Sequence, residues 1–291
     1  MTILDAARLP SPAAQPASTR LPRTRTYAMC EPAFFDVTYA INPWMDPSTT
    51  VDVERARLQW QVLAQTYRTL GHTVDLIDPV PGLPDMVFAA NGALTVGDRA
   101  YGASFRHAER RPEADAWATW LVDRGVEVVR PRETNEGEGD FLTLAHVVLA
   151  GTGFRTSVAA HVECAAAIDR PVVSLELVDP RFYHLDTALA VLDDGHGDAP
   201  ADIAYVPSAF SAHSRRTLRQ LFPDALEVSL DDALVLGLNA VSDGAHVVVP
   251  VQATGFVEQL RARGYTPVPI DVSELLKAGG SVKCCTAERH R

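Results

Sequence analysis

The chain has 291 residues, of which 47% are hydrophobic, and it carries a formal net charge of -11. A chain of this size can bury a sizeable core, as one large domain or two small ones. The acidic balance argues against nucleic acid or an anionic membrane as the main partner, because both require a basic protein face, and no apolar run approaches the ~20 residues of a transmembrane helix.

Residues 1–26 mix Pro, Ala, Ser, Thr and Arg and lack the continuous apolar stretch of a secretory signal. We therefore expect a disordered leader there and a single domain over 27–291. The four cysteines suit neither a disulfide framework nor a paired CxxC metal site. This cysteine usage predicts a protein of the reducing cytoplasm.

From residue 27 onward, strand and helix patterns alternate. A short strand over 27–30 precedes a helix over 52–70, which ends at Gly71, and a strand over 73–77. Further helices are predicted over 113–124, 157–169, 211–221, 254–263 and 272–277, and further strands over 86–96, 126–129, 142–150, 172–177, 188–192, 226–228, 245–250, 266–270 and 282–287. Units of similar length without a linker predict one repeating α/β domain, in which loops from different units can meet at a central pocket.

Asp85 and Asn91 flank an apolar segment and stand six residues apart, so on a strand both would lie on the same face. A carboxylate there can hold a guanidinium through charge-assisted hydrogen bonds. The alternative is that Asp85 caps a turn after Pro84 and that Asn91 and Gly92 form another turn.

Glu136, Glu138 and Asp140 alternate with two glycines, so three carboxylates lie close together in the sequence. Carboxylates this close repel one another when ionised, so one of them is expected to have a raised pKa or to face a cation. The alternative is a solvated acidic loop.

His184 is followed two residues later by Asp186. A histidine can transfer a proton at neutral pH, and a nearby carboxylate can orient it; the alternative is a core histidine bonded to a neighbour. Arg155 follows a glycine turn at the start of a predicted helix, a position that suits a substrate carboxylate. Its alternative is a surface arginine.

Near the C-terminus, Gly279 and Gly280 allow a tight turn that presents Lys283, Cys284 and Cys285 to a cavity. A thiol reacts as its thiolate, so it needs a cationic neighbour or a cationic substrate. Side chains alternate along a strand, so only one cysteine can face a given pocket. We predict Cys284 as the nucleophile; the alternative is that both cysteines are small buried hydrophobic residues.

Taken in order, these stretches resemble the guanidino-group-modifying superfamily, the penteins, which includes arginine deiminases, dimethylarginine dimethylaminohydrolases, amidinotransferases and arginine dihydrolases. The matching segments are 29–32, 41–45, 84–88, 136–140, 182–187 and 279–284. The resemblance implies a five-bladed ring of ββαβ units around a substrate channel, a small guanidino substrate, and neither metal nor cofactor.

The resemblance also implies roles for individual residues. Cys284 would be the nucleophile, His184 the general acid and base, and Glu136 the carboxylate that positions His184 and the guanidinium. Glu138 would replace Glu136 if the loop were shifted. Two further carboxylates, Asp85 and Asp186, would hold the guanidinium nitrogens.

Asn42 and Asn91 resemble the pattern of the arginine dihydrolase branch, which implies hydrolysis of arginine to ornithine, ammonia and carbon dioxide through a cysteine-thiouronium intermediate. Relatives place a substrate-facing arginine slightly before Arg106, so either Arg106 or Ser104 would occupy that place. The alternatives are a dimethylargininase or a deiminase that gives citrulline and, more distantly, an amidinotransferase or a non-catalytic binding protein. The sequence leaves self-association and the preferred substrate open.

Overall fold

The computed structural model describes residues 20–196 and 200–290. Its strands are β1 Thr26–Cys30, β2 Thr73–Ile77, β3 Ala93–Val96, β4 Arg99–Gly102, β5 Glu127–Val129, β6 Phe141–Thr143, β7 Val148–Thr152, β8 Val172–Glu176, β9 Leu189–Asp193, β10 Asp202–Tyr205, β11 Leu226–Glu227, β12 Val241–Ser242, β13 His246–Pro250, β14 Thr266–Ile270 and β15 Ala287–His290. Its helices are α1 Val53–Thr69, α2 Glu113–Val122, α3 Val158–Ile168, α4 Leu185–Ala188, α5 Ala212–Leu221, α6 Leu230–Ala233, α7 Thr254–Ala262 and α8 Ser273–Leu276.

These elements repeat one ββαβ unit. Its first two strands are antiparallel, a helix follows, and the third strand lies parallel to the second. The unit occurs as β3-β4-α2-β5, β6-β7-α3-β8, β9-β10-α5-β11 and β12-β13-α7-β14. A fifth copy joins the two ends of the chain, because β15 pairs antiparallel with β1 and β1 pairs parallel with β2 after α1. The predicted repeating α/β architecture is confirmed.

Helix α1 illustrates how the helices attach to the strands. The side chain of Asp52 caps its first turn by accepting a hydrogen bond from the backbone N–H of Arg55. Trp60, Leu63 and Tyr67 recur at helical spacing on its buried face. The Tyr67 ring lies 4.6 Å from that of Tyr27 in β1. Over the described part of the chain, no helix is both long enough and apolar enough to cross a membrane.

Three predicted strands are wrong, and each runs through a turn; two of the turns are buried, and the third, at 145–147, is partly exposed. Residues 86–92 form two 3-10 turns, and only 93–96 are a strand. Residues 142–150 fold back as the β6-β7 hairpin. Residues 282–286 are a turn in which the backbone N–H of Thr286 donates to the carbonyl of Lys283. A buried turn and a buried strand have the same apolar composition, so periodicity does not separate them.

The predicted boundary of the leader at residue 26 also needs correction. Residues 1–19 lie outside the described residues, but Thr26 begins β1. Arg20 lies 3.1 Å from Asp202, and Arg23 lies 2.6 Å from Asp194. Ion pairs with distant carboxylates therefore hold residues that their composition assigned to the leader.

Replacing Arg25 with methionine is expected to lower the free energy of unfolding by about 2 kcal/mol. The guanidinium lies 2.9 Å from Asp194 and 3.2 Å from Glu288 in β15, and its side chain is only 14% exposed, so its loss leaves half-buried carboxylates short of a cation. Urea unfolding measures the change. The control is Arg55→Met, which breaks a pair on the surface and should cost about 0.5 kcal/mol or less; equal losses would contradict the prediction.

Candidate active site

Polar segments precede the first strand of all five units. They are residues 84–92 before β3, 136–140 before β6, 184–188 before β9, 236–240 before β12 and 279–286 before β15. Because these segments occupy equivalent places in the repeat, they meet one another, and hydrogen bonds join each of them to at least one other.

The turn that carries Cys284 is fixed by its glycines and by neighbouring units. Gly279 has a φ of +80°, which favours glycine, and its carbonyl accepts a hydrogen bond from the Tyr183 hydroxyl at 2.7 Å. A Cβ on Gly280 would overlap the ring of Phe88. The close approach of the Phe88 ring thus requires a glycine and sets the path of the chain towards Cys284.

The sulfur of Cys284 faces polar groups. Asn239 donates its side-chain N–H to Sγ at 3.1 Å and accepts the backbone N–H of Cys284 at 2.9 Å. The thiol donates to Oδ2 of Asp186 at 3.5 Å. Burial, and then the Asp186 carboxylate, raise the pKa of Cys284 well above its usual value. The resting side chain is therefore the neutral thiol, and a cation must enter the site to stabilise its thiolate.

His184 and Glu136 form a buried pair, with Nε2 lying 2.7 Å from Oε2. A carboxylate can only accept, so Nε2 carries the hydrogen; Nδ1 is buried without a hydrogen-bond partner among the described residues. Glu136 also accepts from the Arg155 guanidinium at 2.9 Å. Burial opposes ionisation, but Arg155 and His184 outweigh it and hold the pKa of Glu136 far below its usual value. Glu136 is thus a permanent anion that orients the imidazole.

The other two acids of this loop point elsewhere. Glu138 accepts from Lys283, so Glu136, and not Glu138, is the partner of His184. Asp140 accepts from the hydroxyl of Thr156 at 2.6 Å and, through its other oxygen, from the backbone N–H at position 185. Burial raises the pKa of Asp140 to about 6.

Asp85 and Asp186 each keep one buried carboxylate oxygen, Oδ1, with no partner in the described structure. The other oxygen of Asp85 accepts from the Tyr39 hydroxyl at 2.9 Å. Burial raises the pKa of both acids, that of Asp186 to about 7. Buried polar atoms normally have partners, so these oxygens favour a ligand that brings N–H donors and positive charge.

Asn91 lies among these groups. Its Nδ2 donates to the Glu136 carbonyl at 3.1 Å, and its Oδ1 accepts from Arg110 at 2.8 Å. Arg110 is itself held by a bidentate pair with Glu113, at 2.8 and 2.9 Å. The amide of Asn91 therefore has a fixed orientation, with its nitrogen towards the backbone of Glu136.

The remaining predicted substrate-binding residues lie at the edge of this centre. Asn42 donates to the Ala278 carbonyl at 3.1 Å, beside the nucleophile turn. Arg155 divides its guanidinium between Glu136 and the Ile41 carbonyl. Arg106 has an exposed side chain and contacts Glu136 through its backbone N–H at 3.2 Å. Ser104 pairs through its backbone with Asn135. In this state none of the four adds an unpaired group to the centre.

Two residues of the centre, Asn239 and Arg110, escaped the sequence analysis. Asn239 stands immediately before the β12 unit, as the polar segments around Asn91 and Cys284 stand before theirs. Aligning the repeat units would therefore have pointed to Asn239. Arg110 carries no comparable signal, because it lies in a loop between β4 and α2. No group of three metal-ligating side chains occurs in the described ranges.

Comparison with known proteins identifies close relatives. The chain is 59% identical over 285 residues to N(G),N(G)-dimethylarginine dimethylaminohydrolase of Mycobacterium tuberculosis, a match that covers 98% of this chain and 91% of that protein. It is 36% identical over 265 residues to the bifunctional arginine dihydrolase/ornithine cyclodeaminase ArgZ of Synechocystis sp., covering 89% of this chain but only 37% of ArgZ. No protein-family model matches the chain.

Solved structures agree. The N-terminal domain of cyanobacterial ArgZ, covalently bound to a reaction intermediate, superposes with a TM-score of 0.86 at 34% identity and covers 92% of this chain and 98% of that one. A dimethylarginine dimethylaminohydrolase adduct with S-methyl-L-thiocitrulline has a TM-score of 0.77 at 18% identity, covers 91% and 100% of the two chains, and supports the fold alone. The chain therefore belongs to the guanidino-group-modifying superfamily, the penteins, and is a hydrolase of carbon–nitrogen bonds in linear amidines.

Proposed function

We propose that this protein is an arginine dihydrolase, which converts L-arginine and two water molecules into ornithine, two ammonia molecules and carbon dioxide. One observation carries the proposal: Asp85, Asp186 and His184 each have an unpartnered buried atom, and the segments that carry them are joined by hydrogen bonds to the Cys284 turn. Two carboxylate oxygens and one imidazole nitrogen suit a planar cation with several N–H donors. The guanidinium of arginine is such a group, and its positive charge can stabilise the thiolate of Cys284.

The first half-reaction forms a covalent intermediate. Asp85 and Asp186 accept hydrogen bonds from the guanidinium, whose positive charge lowers the pKa of the Cys284 thiol. The proton of the thiol passes to the unpartnered Nδ1 of His184, and the thiolate attacks the guanidino carbon and forms a carbon–sulfur bond. His184 donates a proton to one terminal nitrogen, which leaves as ammonia, so that a thiouronium remains on the sulfur. Acid catalysis of this kind contributes typically ~10²–10⁴-fold.

The second half-reaction uses the same groups in reverse. His184, now neutral, takes a proton from water, and the resulting hydroxide attacks the thiouronium carbon. The carbon–sulfur bond then breaks, returning its electron pair to Cys284 and leaving citrulline. Glu136 stabilises the imidazolium in both halves because it stays ionised and lies 2.7 Å from Nε2.

A second round on citrulline gives ornithine. Attack on the ureido carbon, loss of the second ammonia and hydrolysis leave a carbamate, which releases carbon dioxide. Citrulline is neutral, so the carboxylates hold it less tightly than arginine, and a neutral hydrogen-bonding group must help to retain it. Asn91 suits that task because it lies across Gly139 from His184: a Cβ on Gly139 would meet both side chains. We assign to Asn91 the retention of the ureido group.

A second candidate is a dimethylargininase that releases dimethylamine and citrulline. The 59% identity to a protein of that name favours it. Dimethylation removes both N–H groups from one terminal nitrogen, and a buried acceptor left without its donor costs about 1–3 kcal/mol. The unpartnered oxygens of Asp85 and Asp186 therefore support arginine as the better substrate.

Replacing Cys284 with serine is expected to abolish ammonia release from arginine, since a hydroxyl is not ionised in this buried site. Cys285→Ser is the matched control. Cys285 is fully buried and its thiol pKa is likewise raised by burial, but its sulfur does not share the contacts of Cys284 with Asn239 and Asp186. This variant should keep most of its activity. Activity that is retained in Cys284→Ser and lost in Cys285→Ser would assign the nucleophile to Cys285 instead.

The products decide between the two candidates. Wild-type enzyme with arginine should give ornithine and two equivalents of ammonia, whereas Asn91→Ser should release citrulline and one equivalent; ion-exchange chromatography and an ammonia assay measure both. Citrulline as the sole wild-type product would make the enzyme a deiminase. Faster release of dimethylamine from dimethylarginine than of ammonia from arginine would establish the second candidate.

The pH dependence follows from Asp186, whose pKa burial raises to about 7. A raised carboxyl pKa means that the acid is protonated as the pH falls through that value, and a neutral acid holds a guanidinium less tightly. We expect kcat/KM, which reports ionisations of the free enzyme, to fall below about pH 7. A profile that stays flat from pH 8 down to about pH 5 would contradict an ionised Asp186 in substrate capture.

A further inference from the structure

We propose that Lys283 is a positioning residue of this hydrolase: its ion pair with Glu138 fixes the nucleophile turn against the loop of Glu136 and places a positive charge behind Asp186. The inference rests on Cys284 as nucleophile, and it holds whether the product is ornithine or citrulline.

The ion pair is largely buried, with the Lys283 side chain 14% exposed. The ammonium of Lys283 donates to Oε2 of Glu138 at 2.5 Å and to the carbonyl of Thr286 at 2.9 Å. The same carboxylate oxygen accepts the backbone N–H of Glu288, at the start of β15, at 2.9 Å. The Glu138 side chain is only 1% exposed. A single buried carboxylate thus holds both ends of the segment in which Cys284 lies.

The pair connects the two halves of the catalytic machinery. Lys283 immediately precedes Cys284, and its backbone N–H donates to the Asn239 carbonyl at 3.1 Å. Glu138 comes two residues after Glu136, which holds the imidazole of His184. The ion pair therefore sets the separation between sulfur and imidazole, and a displacement of about 1 Å between reacting groups can cost ~10²-fold in rate.

The charge of Lys283 also acts on Asp186. The charged and titratable groups that face its ammonium are Glu138, Asp186, Glu288 and His290. Burial alone would lower the pKa of Lys283, but Glu138 outweighs it and keeps the pKa above its usual value, so the side chain is cationic. Burial is the main influence on Asp186, and Lys283 is the chief charge that opposes it. Without Lys283, Asp186 would need a higher pH to ionise.

Lys283 and Glu138 lie on the wall of a cavity of about 50 Å³ that also exposes Thr143, Ala240 and His290. A cavity of this size holds a few water molecules, so it tolerates a change of side chain at position 283. Methionine has an unbranched side chain of similar length to lysine but no charge, so Lys283→Met removes the charge while filling the same space.

The experiment compares Lys283→Met, Lys283→Arg and Glu138→Gln over a range of pH. At a pH well above the acid limb of the profile, where Asp186 stays ionised, we expect Lys283→Met to lower kcat about 10- to 100-fold while KM changes much less, because the groups that hold the guanidinium keep their charge. Lys283→Arg keeps the charge and should recover part of the loss. Lys277→Met is the matched control: Lys277 pairs with Glu274 at 2.6 Å outside the site, and its loss should leave kcat unchanged.

The pH profile separates positioning from mere stability, because the two members of the pair act on Asp186 with opposite sign. Loss of the Lys283 cation should move the acid limb of kcat/KM to higher pH. Loss of the Glu138 anion, which raises the pKa of Asp186, should move it to lower pH. Glu138→Gln keeps the shape of its side chain, so it provides the test if Lys283→Met does not fold.

Two outcomes would overturn the inference. Unchanged kcat in Lys283→Met and Glu138→Gln would show that the pair does not set the geometry, and acid limbs that stay in place or shift in the same direction would show that the charge does not reach Asp186. Activity retained in Cys284→Ser would instead remove the proposed function itself, so the two failures are distinguishable.

Discussion

Six carboxylates are buried around one centre, and the rest of the site depends on how each finds positive charge or a hydrogen-bond donor. They are Asp85, Glu113, Glu136, Glu138, Asp140 and Asp186. Taking an ion out of water costs several kcal/mol unless it is paired. Three of these acids, Glu113, Glu136 and Glu138, each form an ion pair. Their partners are Arg110, Arg155 and Lys283. Asp85 and Asp186 are left with unsatisfied oxygens, which makes the resting site electrostatically incomplete and selective for a cation.

The same burial of carboxylates protects the proposed nucleophile, Cys284, when no substrate is bound. A buried thiol beside Asp186 has a raised pKa and is a poor target for oxidants and electrophiles, which react with thiolates. Its reactivity appears together with the cation that it attacks. The polar residues that achieve this come from five separate units, so the chemistry belongs to the ring and not to any single loop.

The chemistry of the site was more predictable than its local geometry. Cys284, His184, Asp186 and Glu136 stand out in the sequence because they lie in short motifs: a cysteine next to a lysine after two glycines, a histidine two residues before an acid, and acids that alternate with glycines. The turn that carries Cys284 was taken for a strand, because a buried turn is as apolar as a strand. Arg155 was expected to hold a substrate carboxylate, yet it lies against Glu136, and Arg20 and Arg23 were assigned to a leader. In each case the partner is distant in sequence, so only the folded chain reveals the pair.

The pairing of β15 with β1 has a consequence for biosynthesis. Cys284 lies just before β15, and β15 pairs with β1. Four of the five units lie between β3 and β14, so a nascent chain on the ribosome can complete them while the fifth unit still lacks β15. The Cys284 turn is therefore held in place only after β15 has been synthesised and has paired with β1, so the proposed active centre forms late in folding.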